Sequence, residues 1–76
     1  MINPEREDDV NTELRAAREA SGKTQRQVAQ EIGITEVSYQ RIEYGLQRPS
    51  LITALLIARV LKSTVERLFG KEALKK

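Results

Sequence analysis

The stretch TQRQVAQEIGITEVSYQRIEYG, residues 24–45, constrains the chain most, because two short amphipathic patterns lie in it on either side of one glycine. Thr24 with Gln27 has the capping-box spacing, in which a hydroxyl and an amide side chain satisfy backbone N–H groups that a helix start leaves without partners. A helix is predicted to open there. Val28, Ala29 and Ile32 give it one narrow apolar stripe, with Arg26, Gln27, Gln30 and Glu31 facing away. Gly33 stops it, since glycine takes the left-handed C′ geometry without steric cost. Ile34 plugs the corner, and Thr35 is a second N-cap. Tyr39 and Ile42 then form an inward i, i+3 pair, Tyr39 as core with its hydroxyl at the edge, until Gly45 ends the helix. Glu36, Val37, Gln40, Arg41 and Tyr44 are left pointing outward.

Two helices of about eight residues joined through a glycine turn read as a helix-turn-helix, whose second helix is the one offered to a DNA major groove. Its free face carries the chemistry that reads base edges. Glutamine pairs bidentately with adenine, arginine with guanine, glutamate accepts from cytosine N4, and valine packs on a thymine methyl. The base readers are therefore expected to be Glu36, Val37, Gln40 and Arg41. Glu36 has a second reading, stabilising the positive end of its own helix, and Arg41 has phosphate as its alternative partner.

The stretch resembles the Cro and phage-repressor (XRE-type) family, whose pattern stands here as TQ, VAQEIGIT, RIEYG and RPS, over roughly residues 14–69. The resemblance implies an all-α, compact five-helix, lambda-repressor-like DNA-binding domain. It also implies that an arginine of the first helix pairs with the glutamate of the IEYG ending, which falls on Arg18 and Glu43. Physical chemistry gives an independent reason, because a carboxylate beside buried Ile42 needs a hydrogen-bonded cation. By the same resemblance Gln25, at the start of the second helix, touches phosphate, and so does Arg48 in the loop before the fourth helix. Arg26 and Tyr44 are further phosphate candidates, against solvation for the first and contact with the following loop for the second. Lys23 departs from the family's usual leucine.

The domain is expected over residues 10–70, between a flexible acidic arm at 1–9 and a basic tail at 71–76, KEALKK, which either extends the last helix or stays disordered. The first helix is expected from about Val10 or Asn11, with Val10, Leu14 and Ala17 on its inner stripe, ending at Gly22. In the fourth, capped by Ser50, the predicted inward stripe is Leu51, Ala54, Leu55, Ala58 and Leu61. That leaves Ile52 and Leu56 one turn apart, beside Val60, where relatives carry polar residues. They form an apolar pair that either completes a thickly buried helix or marks a protein interface; the candidate dimer seam is the fifth helix, with Val65 and Leu68, to which Ile52 and Leu56 contribute. Ser63 and Glu66 are expected to make the capping box of that fifth helix, which runs through Phe69 to stop before Gly70.

Net charge is only +2, but residues 1–13 hold five acids against Arg6 alone, so the remainder carries twelve bases against six acids. That partition favours a nucleic-acid partner, because neutralising phosphates with Lys and Arg supplies most sequence-independent affinity for DNA. Without histidine or cysteine, and without paired carboxylates at catalytic spacing, the sequence argues against an enzyme, and no cofactor or metal is expected. Aromatic residues are too few for an RNA-stacking platform. No apolar run approaches the roughly 18 residues of a membrane span, and the N-terminus lacks a signal peptide's pattern, so a soluble cytoplasmic protein is expected. A chain of this size buries only about 60% of its unfolded surface, which makes dimerisation plausible. The expected function is a sequence-specific, double-stranded-DNA-binding transcriptional regulator, a repressor acting as a homodimer on a palindromic operator. The competing reading keeps the fold as a protein-interaction module, such as the antitoxin partner of a toxin.

Overall fold

The chain enters its first helix through Asn11, and that side chain does more than cap. Its Oδ1 accepts from the Leu14 N–H at 3.0 Å, while its Nδ2 donates 2.8 Å to the Leu68 carbonyl far along the chain. Its own N–H donates to the Glu43 carbonyl at 2.8 Å. One buried residue thus ties together the start of one helix, the end of another and the middle of a third. The computed structural model describes residues 10–74, and its helices are α1 (Thr12–Ala20), α2 (Gln25–Ile32), α3 (Glu36–Glu43), α4 (Leu51–Val60) and α5 (Val65–Leu74). No strand occurs among the described residues. The acidic arm expected over residues 1–9 lies outside them, as do Lys75 and Lys76 of the expected tail.

Local signals place α2 and α3 where the sequence puts them. Thr24 and Gln27 form the reciprocal capping box, Gly33 takes the left-handed conformation at φ 79°, and Thr35 caps α3 through the Ser38 N–H. The two helices pack on each other; α2 also packs on α4, α1 on α5 and α3, and α4 on α5. Leu14, Val28, Tyr39, Ile42 and Ile57 are fully buried at the centre, with Ala29, Ala54, Ala58, Leu61, Leu68 and Phe69 around them.

Three expectations for the C-terminal half are corrected. First, α4 is rotated from its predicted phase: Ala54, Ile57, Ala58 and Leu61 face inward, whereas Leu51 and Leu55 are 70% and 43% exposed. Val60, expected beside the pair Ile52 and Leu56, instead packs partly against the core. Second, the cap of α5 is Thr64, whose hydroxyl accepts from the Arg67 N–H at 3.0 Å, and not Ser63. Ser63 is spent on leaving α4, its N–H donating to the Ala58 carbonyl at 2.8 Å while Lys62 turns left-handed at φ 55°. Third, α5 does not stop before Gly70 but continues to Leu74, so the tail extends the helix as one of its two readings had it, and Lys71 reaches back to Glu13 on α1 at 2.9 Å. Among the described residues no helix is long and apolar enough to cross a membrane.

Candidate nucleic-acid interface

An eight-residue helix can present a reading face only if its other face is anchored, and α3 is anchored by three buried side chains. Tyr39, Ile42 and Glu43 point into the core, at 0%, 2% and 0% exposure. On the opposite side Val37 is 55% exposed, Arg41 is exposed, and Glu36 and Gln40 are half-buried. An exposed β-branched side chain flanked by an amide, a carboxylate and a guanidinium is a surface with donors, acceptors and a methyl contact together.

Behind that face lies a connected set of polar bonds rooted in Glu43. A fully buried carboxylate is tolerated only when its lone pairs are satisfied by donors and its charge by a cation. Arg18 supplies the cation in a two-point fork, Nε to Oε1 at 2.8 Å and Nη2 to Oε2 at 3.1 Å. Its third contact, Nη1 to the Lys23 carbonyl at 2.9 Å, fixes the guanidinium from the far side. Hydrogen bonding to Glu43 holds the Arg18 proton more tightly than usual, outweighing the opposing effect of burial. Tyr39 donates its hydroxyl to Glu43 Oε1 at 3.0 Å. That corrects the expectation of a hydroxyl at the edge of the core: it lies inside, and its role is to satisfy the carboxylate. Burial first, and then the adjacent negative charge, push the Tyr39 phenol well above its ordinary range.

Gln25 completes the set. Its Nε2 donates to Glu43 Oε2 at 2.8 Å and lies 3.4 Å from the Tyr44 hydroxyl, while its Oε1 accepts from Gln40 Nε2 at 3.2 Å. Gln40 Nε2 also lies 3.4 Å from Glu36 Oε2, and Arg26 Nε stands 3.9 Å from Glu36 Oε1. Of the residues expected to meet DNA, Gln25, Arg26, Glu36, Gln40 and Tyr44 are therefore joined at the α2 start and the α3 surface. Val37 and Arg41 stand on the same helix. Arg48 is exposed in the loop before α4, beside a shallow groove lined by Pro49, Leu51, Val65 and Phe69.

A family model described as helix-turn-helix matches residues 14–68. The chain belongs to the helix-turn-helix family of Cro and the phage repressors. Within it, the cryptic phage CTXphi transcriptional repressor RstR of Vibrio cholerae serotype O1 is 36% identical to the chain over 64 residues, covering 84% of this chain and 57% of that relative. The chain thus spans little more than half the length of the curated relative it matches. No solved structure matches it.

The remaining candidates separate. Ile52 is 65% exposed and Leu56 half-buried on α4, and the rotated phase adds Leu51 and Leu55 to the same side of this helix-turn-helix domain. Val65 is half-buried against the core. Leu68, at 3% exposure, lies inside the core and has no free surface for a partner, so it leaves the candidate seam. What the sequence did not announce is the Gln25 to Gln40 bond, which spans 15 residues and has no local spacing rule. Asn11 was placed only near the start of the first helix, and its bond to Leu68 has no local sequence signal.

Proposed function

We propose that this protein is a sequence-specific, double-stranded-DNA-binding transcriptional regulator, a repressor, that inserts α3 into the major groove of a palindromic operator as a homodimer. The observation carrying the reading is the division of α3 between buried Tyr39, Ile42 and Glu43 and the outward Val37, Gln40 and Arg41. A relative named as a phage transcriptional repressor supports the regulatory half of it. Val37 packs on a thymine methyl, Arg41 takes guanine, and Glu36 and Gln40 contact base edges between them. Arg26, Arg48 and Tyr44 hold phosphates, as does Gln25 through its backbone N–H at the start of α2; the Tyr44 hydroxyl, 3.4 Å from the Gln25 amide nitrogen, is left to donate outward. Binding itself is the activity, with no chemical step and no cofactor, and the work is done in the cytoplasm.

One half-site offers a few contacts of about 1–3 kcal/mol each, so a second copy about 34 Å away along the duplex is needed for a selective operator. The seam we assign to it is the α4 face carrying Leu51, Ile52, Leu55 and Leu56, an apolar side at i, i+1, i+4 and i+5. The same face supports the second reading, an interaction module that holds another protein. Selecting bound duplexes from a random pool tests the first reading, which expects a two-fold symmetric winner. Failure to enrich any motif, with a stoichiometric protein partner lost on Ile52→Glu, would establish the second instead.

A further inference from the structure

What a glutamine says to a base depends on which end of its amide is free. The oxygen only accepts and the nitrogen only donates, so a side chain unconstrained at a surface can present either. Gln40 is not unconstrained. Glu43, an ionised carboxylate, accepts only, so the end of Gln25 that lies 2.8 Å from its Oε2 has to be the nitrogen. The Gln25 oxygen therefore faces the other way, and the group 3.2 Å from it has to be the Gln40 nitrogen. Glu36, a second carboxylate, stands 3.4 Å from that same nitrogen and requires a donor as well. Turning either amide over would set oxygen against oxygen. The polarity of a buried charge is thereby relayed through Gln25 to the reading surface, where both Gln40 N–H groups are directed at protein and its oxygen remains.

We propose that Gln25 is a positioning residue that makes Gln40 an acceptor-only reader, so that Gln40 and Glu36 together select a base showing an exocyclic amino group in the major groove, cytosine before adenine. The inference rests on α3 being the helix that enters the groove. Cytosine offers its N4 amino group there, and its own edge carries no acceptor. Adenine flanks its N6 amino group with N7, whose lone pair would face the two acceptors, while guanine and thymine display O6, N7 and O4. The bidentate pairing of glutamine with adenine needs an N–H of Gln40 that the Gln25 and Glu36 bonds withhold.

Duplex selection from a random pool with the full chain, its Gln40→Ala variant, Gln25→Leu and Glu36→Ala tests this. Gln40→Ala identifies the operator position that its side chain reads. At that position the unaltered chain should enrich cytosine, and Gln25→Leu or Glu36→Ala should shift the preference toward adenine by about tenfold, leaving the position lost in Arg41→Ala unchanged. Glu36→Ala leaves the buried carboxylate alone, so it remains informative if Gln25→Leu unfolds. Cytosine retained by Gln25→Leu, or by Glu36→Ala where Gln25→Leu unfolds, or any other base enriched by the unaltered chain at that position, overturns the positioning role while leaving α3 as the reader. No enriched motif at all overturns the groove reading and this inference with it.

Discussion

Replacing Arg18 with methionine isolates the strongest energetic commitment in the fold. Methionine keeps an apolar stem of similar reach but removes the two-point fork to Glu43, whose side chain has no exposure, while Arg18 itself is only 12% exposed. Glu43 would keep the Tyr39 hydroxyl and the Gln25 amide as donors yet lose the cation that balances its charge. Removing one member of a buried pair costs about 3–5 kcal/mol, mostly from the charge left behind. A domain of this size is stable by about 4–10 kcal/mol, so the variant should lose roughly a third or more of its stability, and unfold outright where the unaltered chain lies at the low end of that range. Urea unfolding followed by far-ultraviolet circular dichroism measures the loss. The cause is separated from simple contact loss by repeating the change in a Glu43→Gln background, where no charge is stranded and the further cost should fall to about 2 kcal/mol or less. Equal costs of Arg18→Met in both backgrounds would refute the reasoning, as would a loss below about 1 kcal/mol in the first.

Lys62 leaves α4 at φ 55°, where a side chain is strained, so Lys62→Gly should gain about 1 kcal/mol and raise Tm by roughly 4–8 °C; an unchanged or lower Tm would contradict this. The Tyr39 phenol is raised in the folded state, so its contribution is complete below the unfolded value near 10 and is lost as pH climbs beyond it, when only the unfolded chain ionises. Unfolding free energies from urea titrations between pH 8 and 11 should accordingly fall more steeply for the unaltered chain than for Tyr39→Phe, by about 1.4 kcal/mol per unit above pH 10, and parallel curves would remove the claim. Arg41→Ala should weaken binding to the selected operator far more than to random duplex. Arg48→Ala should weaken both alike and lower the salt slope by about 1; the opposite pattern would exchange their roles.

The half of the fold that carries the candidate site was legible because its signals are local. A hydroxyl three residues before an amide, or a glycine at the foot of an apolar stripe, specifies a helix end wherever the rest of the chain goes, and Thr24, Gln27, Gly33 and Thr35 all act this way. The α4 sequence LITALLIARV gives no such contrast. With nearly every position apolar, periodicity cannot choose a face, and tertiary contact with α2 and α5 turned Ile57 inward and Leu51 outward. Ser63 and Thr64 are both cap-forming residues one position apart, and the exit of α4 through Lys62 decided between them. Gly70 resembled a helix stop, yet its effect depends on the residues C-terminal to it, and the Lys71 bond to Glu13 ties the continuing turn to α1. Glu43 was expected to pair with Arg18, but the amide relay from it to Gln40 crosses from one helix to another and belongs to no one-dimensional pattern.

Titrating the labelled protein with its selected duplex, and following backbone and methyl resonances by NMR, tests the central claim most directly. The account predicts that the largest shifts fall on the start of α2 and on Val37, Gln40 and Arg41, with the Val37 methyl groups contacting a thymine methyl. Shifts concentrated on Leu51, Ile52 and Leu55 of α4, with the α3 resonances unmoved, would contradict it.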